Sequence, residues 1–90
     1  MKTNVFVNDS IKKSVKIGRV FLRANNQKDG AIYYNSAFKK PFLFIPRGAG
    51  CGYSAESLRA LWSVIDNDLF FQGRFYIDLN RKARRLGLSF

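Results

Sequence analysis

Lys16-Ile17-Gly18-Arg19-Val20-Phe21-Leu22-Arg23-Ala24 is the stretch on which the fold turns. Gly18, Val20, Leu22 and Ala24 fall at alternate positions, and Ile17, Arg19, Phe21 and Arg23 fill the gaps between them. Side chains of a strand point to opposite faces in turn. The pattern therefore predicts a strand with one apolar face and one carrying cations and a ring. Residues 25–30 end in Asp29-Gly30, which favours a tight antiparallel turn. A return strand is expected over 31–35, where Ile32, Tyr33 and Tyr34 favour β structure. Another is expected over 42–45, bracketed by Pro41 and Pro46 as at a sheet edge. Val5-Phe6-Val7, closed by Asn8-Asp9-Ser10, reads as a short first strand.

One helix is legible after these strands. Ser54 suits its N-cap and Glu56 its first turn, and Leu58, Leu61, Trp62, Ile65 and Leu69 recur at helical spacing. Gly73 resets the chain, residues 74–79 alternate again, and 80–83 read as a turn into a final strand over 84–90. The expected fold class is α+β: a small antiparallel sheet of four short strands, one helix, then a C-terminal hairpin. The amphipathic helix packs on one face, and residues 1–90 form a single basic domain.

Composition removes several functions. The 90 residues contain no His and a single Cys, Cys51. A Cys/His zinc site, a Ser-His-Asp triad, a Cys-His pair and an internal disulfide therefore cannot be built. No cofactor or metal is expected. The apolar runs are too short to cross a bilayer, and residues 1–6 lack an extended apolar stretch, so a cytoplasmic location is expected with no membrane partner.

The formal charge is +10, from 16 Lys+Arg against 6 Asp+Glu. Residues 1–47 hold ten basic and two acidic groups, 48–72 one and three, and 73–90 five and one. The helix is thus the acidic element, and the strands and turns carry the positive charge. A recognition helix for the major groove would carry the cations itself. Cations interleaved with rings on a sheet suit unpaired bases instead: rings to stack on, and positive charge for phosphates. The expected nucleic-acid-binding residues are Arg19, Phe21, Arg23, Arg74 and Tyr76, with Lys39, Lys40, Arg81, Lys82, Arg84 and Arg85 on the backbone from predicted turns. One of Tyr33 and Tyr34 must also face away from the core. Basic residues on a sheet also guard its edges against aggregation, so each one alone has a structural reading as well.

The loop Arg47-Gly48-Ala49-Gly50-Cys51-Gly52 reads as a strand-to-helix connection whose Arg47, Gly48, Gly50 and Gly52 could cradle a phosphate. It matches neither the P-loop nor the dinucleotide fingerprint. Asp66 and Asp68, the only close acidic pair, read as a solvated or Arg-paired helix end. No catalytic residue is expected. The expected function is that of a non-enzymatic protein binding single-stranded DNA or RNA. The alternative is a small inhibitor, of the kind phages or mobile elements use, docking on an acidic surface of a nucleic-acid-processing protein. An RNA-cleaving toxin is third. The apolar tail Leu86, Leu88 and Phe90 would be an edge strand able to pair with a second copy, which favours a homodimer.

Overall fold

The computed structural model describes residues 13–48 and 52–90. Five strands, β1 (Val15–Leu22), β2 (Lys28–Tyr34), β3 (Phe42–Pro46), β4 (Tyr53–Ala55) and β5 (Phe75–Leu79), form one antiparallel sheet. Their order is β4-β3-β2-β1-β5. Helices α1 (Leu58–Asn67) and α2 (Arg81–Arg85) pack with this sheet in an α+β fold. Leu58, Leu61 and Ile65 of α1 and Ala83 of α2 are buried in one cluster with Val20, Ile32, Phe44 and Phe75. Both described helices therefore cover the same face of the sheet, and neither lies on the other. Among the described residues, no helix is long and apolar enough to cross a membrane.

The alternation along β1 holds except at Ile17. This residue is fully buried in the core rather than grouped with Arg19 and Phe21. The cause is a register shift between Lys16 and Gly18: Lys16 opposes Tyr33 and Gly18 opposes Ile32, so two residues of β1 span one of β2. A bulge of this kind leaves both residues leaning to one side and flips the pattern before it. A second shift follows Val20, where Gly30 pairs with Val20 and Lys28 with Phe21. Asp29-Gly30 thus lies inside β2 and is not the turn. The chain reverses over 23–27, where the Leu22 carbonyl accepts from Asn26 N–H and Asn26 takes a left-handed φ of 53°. Gly30 serves close approach instead, since a Cβ there would meet the Phe44 ring and the Ile45 carbonyl.

Four strands do precede α1, but the fourth is β4, and Val5-Phe6-Val7 lies outside the described residues. Ser54 sits in β4 opposite Leu43, so it does not cap the helix. Ser57 does: its Oγ accepts from Ala60 N–H at 3.0 Å. Glu56 precedes that cap and is not in the first turn. Trp62 remains 41 % exposed, with its ring tilted against Phe75, and Leu69 lies beyond the helix at 78 % exposure. Phe71 fills the core place expected of Leu69, meeting both Phe44 and Phe75 edge-on.

The C-terminal hairpin is replaced by α2. Asn80 Oδ1 accepts from the N–H groups of Lys82 and Ala83, and its Nδ2 donates to the Lys16 carbonyl at 3.0 Å. One side chain thus starts the helix and pins it to β1. The helix ends when Gly87 N–H donates to Arg84 and Leu88 N–H to Ala83, with Gly87 at a φ of 72°. That pair of bonds is a Schellman closure, which favours glycine at the left-handed position. Leu88 then packs against the core, while Leu86 and Phe90 stay half exposed. Residues 86–90 form no strand, so the edge expected to pair with a second copy is absent from this segment.

Candidate nucleic-acid interface

Three rows of side chains cross the sheet face opposite α1 and α2, where Ala31 and Leu43 are buried. Tyr76, Phe21 and Lys28 form the first, Asp78, Arg19, Ala31 and Ile45 the second, and Lys16, Tyr33 and Leu43 the third. The Phe21 and Tyr76 rings stack across strands, with centroids 5.3 Å apart and planes 12° from parallel. Tyr76 Oη donates to Asn26 Oδ1 at 3.1 Å, which ties the ring to the β1–β2 turn. The Arg19 guanidinium lies 5.5 Å from the Phe21 centroid and 3.5 Å from Asp78 Oδ2. Both charged side chains of that pair are about half exposed, so the pair orients Arg19 more than it stabilises the fold.

Lys16 and Lys28 reach toward each other over the middle row. The Lys28 amine within hydrogen-bonding reach, then partial burial, then the charges of Lys28 and Arg19 hold the Lys16 amine below the usual lysine range. Three cations thus crowd one patch of sheet, and mutual repulsion is relieved when an anion enters between them. At the nearer end of β2, burial pushes the Asp29 carboxyl up, opposed by the Arg47 guanidinium.

Of the residues expected to bind, Arg19, Phe21 and Tyr76 come together on this face. Arg23 and Arg74 lie at the end of the sheet where the chain leaves β1 and enters β5. Arg23 Nε–H donates there to the Phe75 carbonyl at 3.1 Å, and Arg74 is exposed. Lys39 and Lys40 are exposed in the connection from β2 to β3, at the opposite end. Arg81, Lys82, Arg84 and Arg85 share that end, on α2 rather than on a turn and a strand. Strands of this length hold the two ends roughly 20–25 Å apart. The remaining basic groups therefore lie at the two ends of the sheet, those of α2 on its helix-covered side, rather than at one spot.

Lys16 and Lys28 belong to the patch but were not among the residues expected there. Lys16 stands at the start of the predicted strand without an assigned face, and Lys28 in the expected turn over 25–30; the strand register places both on this face. Tyr33 is the tyrosine that faces outward, since Tyr34 packs its ring against Phe42 in the core.

The glycine loop joins β3 to β4 rather than to a helix, so no helix dipole aids it. Arg47 and Gly48 are exposed, Gly52 is pressed against the Phe44 carbonyl, and Gly50 and Cys51 lie outside the described residues. Asp66 and Asp68 are structural rather than solvated or Arg-paired. Asp68 accepts from Tyr53 Oη at 2.6 Å and from Phe70 N–H, and Asp66 accepts from Gly73 N–H. Together they clasp the turn that carries Phe71 into the core. Among the described residues, no group of His, Cys, Asp and Glu is placed to hold a metal ion. Comparison with protein-family models, with curated proteins and with solved structures finds no match to this chain.

Proposed function

We propose that the chain is a non-enzymatic binding protein for single-stranded nucleic acid, which it receives on the sheet face opposite α1 and α2. The observation that carries this reading is the convergence of Lys16, Arg19 and Lys28 beside the stacked Phe21–Tyr76 pair. A base can extend that stack at the half-exposed ring surfaces, for about 1–3 kcal/mol per base, while the three cations neutralise phosphates. A duplex has its bases already stacked and gains little from the rings. The exposed cations Arg74 at one end of the sheet and Lys39 and Lys40 at the other extend the backbone contact.

A fluorescent oligonucleotide titrated at several salt concentrations tests this. Single strands should bind more tightly than duplex, with log affinity falling by about 0.7 per neutralised phosphate per decade of salt. Arg19→Ala and Lys28→Ala should each weaken binding, whereas Arg59→Ala on α1 should not. No binding at ~50 mM salt would overturn the proposal. An acidic protein surface would use the same cations without needing the rings. Phe21→Ala and Tyr76→Ala therefore separate the two partners, since loss of binding only with the cation variants points to protein. Incubation of the protein with RNA, followed by a gel, should leave the RNA intact; cleavage would replace binding by a nuclease activity.

A further inference from the structure

The middle row of the face opposite α1 and α2 dips at Ala31. Arg19 on β1 and Ile45 on β3 flank Ala31 on β2, whose methyl group is the smallest side chain of the three. Above this methyl the face sinks into a cavity of about 520 Å³, bordered by Lys28, Ala31, Tyr33, Ile45, Pro46 and Arg47. Its floor is apolar, one wall is an aromatic ring and its rim carries two cations. That volume lies within the range of small-ligand sites.

We propose that this depression is a single-nucleotide subsite: one unstacked base sits over Ala31 between Tyr33 and Ile45, and its phosphate is held by Lys28 and Arg47. The inference rests on the reading of the face as a single-strand surface, and it adds where one base leaves the stack. The chemistry of the walls selects this occupant. A carboxylate-rich peptide would pair with the rim but leave the apolar floor and the ring without partners. An uncharged apolar ligand would fill the floor but leave Lys28 without counter-charge and Arg47 with Asp29 alone. A nucleotide satisfies both, with a flat π-face for Tyr33 and an anion for the rim. The Phe21–Tyr76 stack lies in the next row, beside Lys28. A strand crossing Lys28 would therefore place one base on each aromatic station, with a shared cation between them.

Two titrations of isotopically labelled protein test the subsite, one with uridine 5′-monophosphate and one with a ten-residue oligouridylate. Uridine monophosphate should shift the amide resonances of Ala31, Tyr33 and Ile45, whereas inorganic phosphate should leave Tyr33 unmoved. Ala31→Leu, which fills the depression from this face, should abolish those shifts and weaken the oligonucleotide about tenfold, and Tyr33→Ala should weaken it similarly. Amide dispersion reports whether each variant folds. If Ala31→Leu loses it, Tyr33→Ala alone decides the outcome. Wild-type binding of the oligonucleotide with no loss in the folded variants would overturn the subsite and leave the single-strand reading standing. Shifts with the mononucleotide but no oligonucleotide binding would overturn that reading and leave the subsite. Absence of both would overturn both.

Discussion

On the helix-covered face, Val20, Ile32 and Phe44 are fully buried in three neighbouring strands. One residue along each strand, Arg19, Ala31 and Ile45 form a row on the other face, where a guanidinium pairs with a half-exposed carboxylate. The two sets share the same backbone hydrogen bonds and differ only in which side of the pleat they occupy. Burial of apolar area supplies most of the folding free energy, so the covered face sets stability. The face opposite α1 and α2 is held in register by the covered one and carries charge. Stability and binding should therefore respond to different substitutions.

Leu61→Ala should produce the largest stability change, about 2–5 kcal/mol by urea denaturation, because a fully buried side chain leaves a cavity between α1 and the sheet. Protein that remains folded should bind oligonucleotide as the wild type does; a loss equal to that of Arg19→Ala would break the division between faces. Gly30→Ala comes next, at about 1–3 kcal/mol, since the new methyl meets the Phe44 ring and a β3 carbonyl. Ser57→Ala should lower stability by about 0.5–2 kcal/mol. Ser54→Ala should stay within about 0.5 kcal/mol, and a reversal of those two would return the cap to Ser54.

Lys28→Gln should give the smallest effect, and one of opposite sign. The Lys16 amine titrates below its ordinary value in the folded protein, so the unfolded chain binds more protons between those two values. Stability should therefore rise with pH across that alkaline window. Removing the Lys28 charge should flatten the rise and return Lys16 toward the usual lysine range, as a side-chain resonance titration would read directly. An unchanged Lys16 titration would show that the two amines do not interact.

The fold class and the α1 stripe of Leu58, Leu61 and Ile65 were legible because local periodicity and burial agree there. Ile17 was not, because a bulge depends on how β1 meets β2, and a binary pattern carries no partner. Ser54 and Ser57 are equivalent as caps on local grounds, and pairing of β4 with β3 decides between them. Asn80 and Gly87 are residue types that suit a helix start and stop, but 80–83 read as a turn and 84–90 as a strand. A five-residue helix between them is too short to show a stripe, so alternation in the tail outweighed its ends. On the candidate face, the shared side of Arg19, Phe21 and Tyr76 followed from alternation alone. Lys16, Lys28 and the gap over Ala31 required the register across β1, β2 and β3, which is tertiary information.

Strand β1 has one near partner and one distant partner. It reaches β2 through the short turn at 23–27, but Phe21 meets Tyr76 only after β3, β4 and α1 have been laid down. Closing that larger loop carries the greater entropy cost, so pairing with β5 belongs late in folding. An early hairpin would already display Arg19 and Lys28, yet it would lack the stacked ring pair. A chain still emerging from the ribosome thus carries the charge without the stacked rings. A ligand that needs the rings binds only the finished sheet and, by mass action, holds β5 in place.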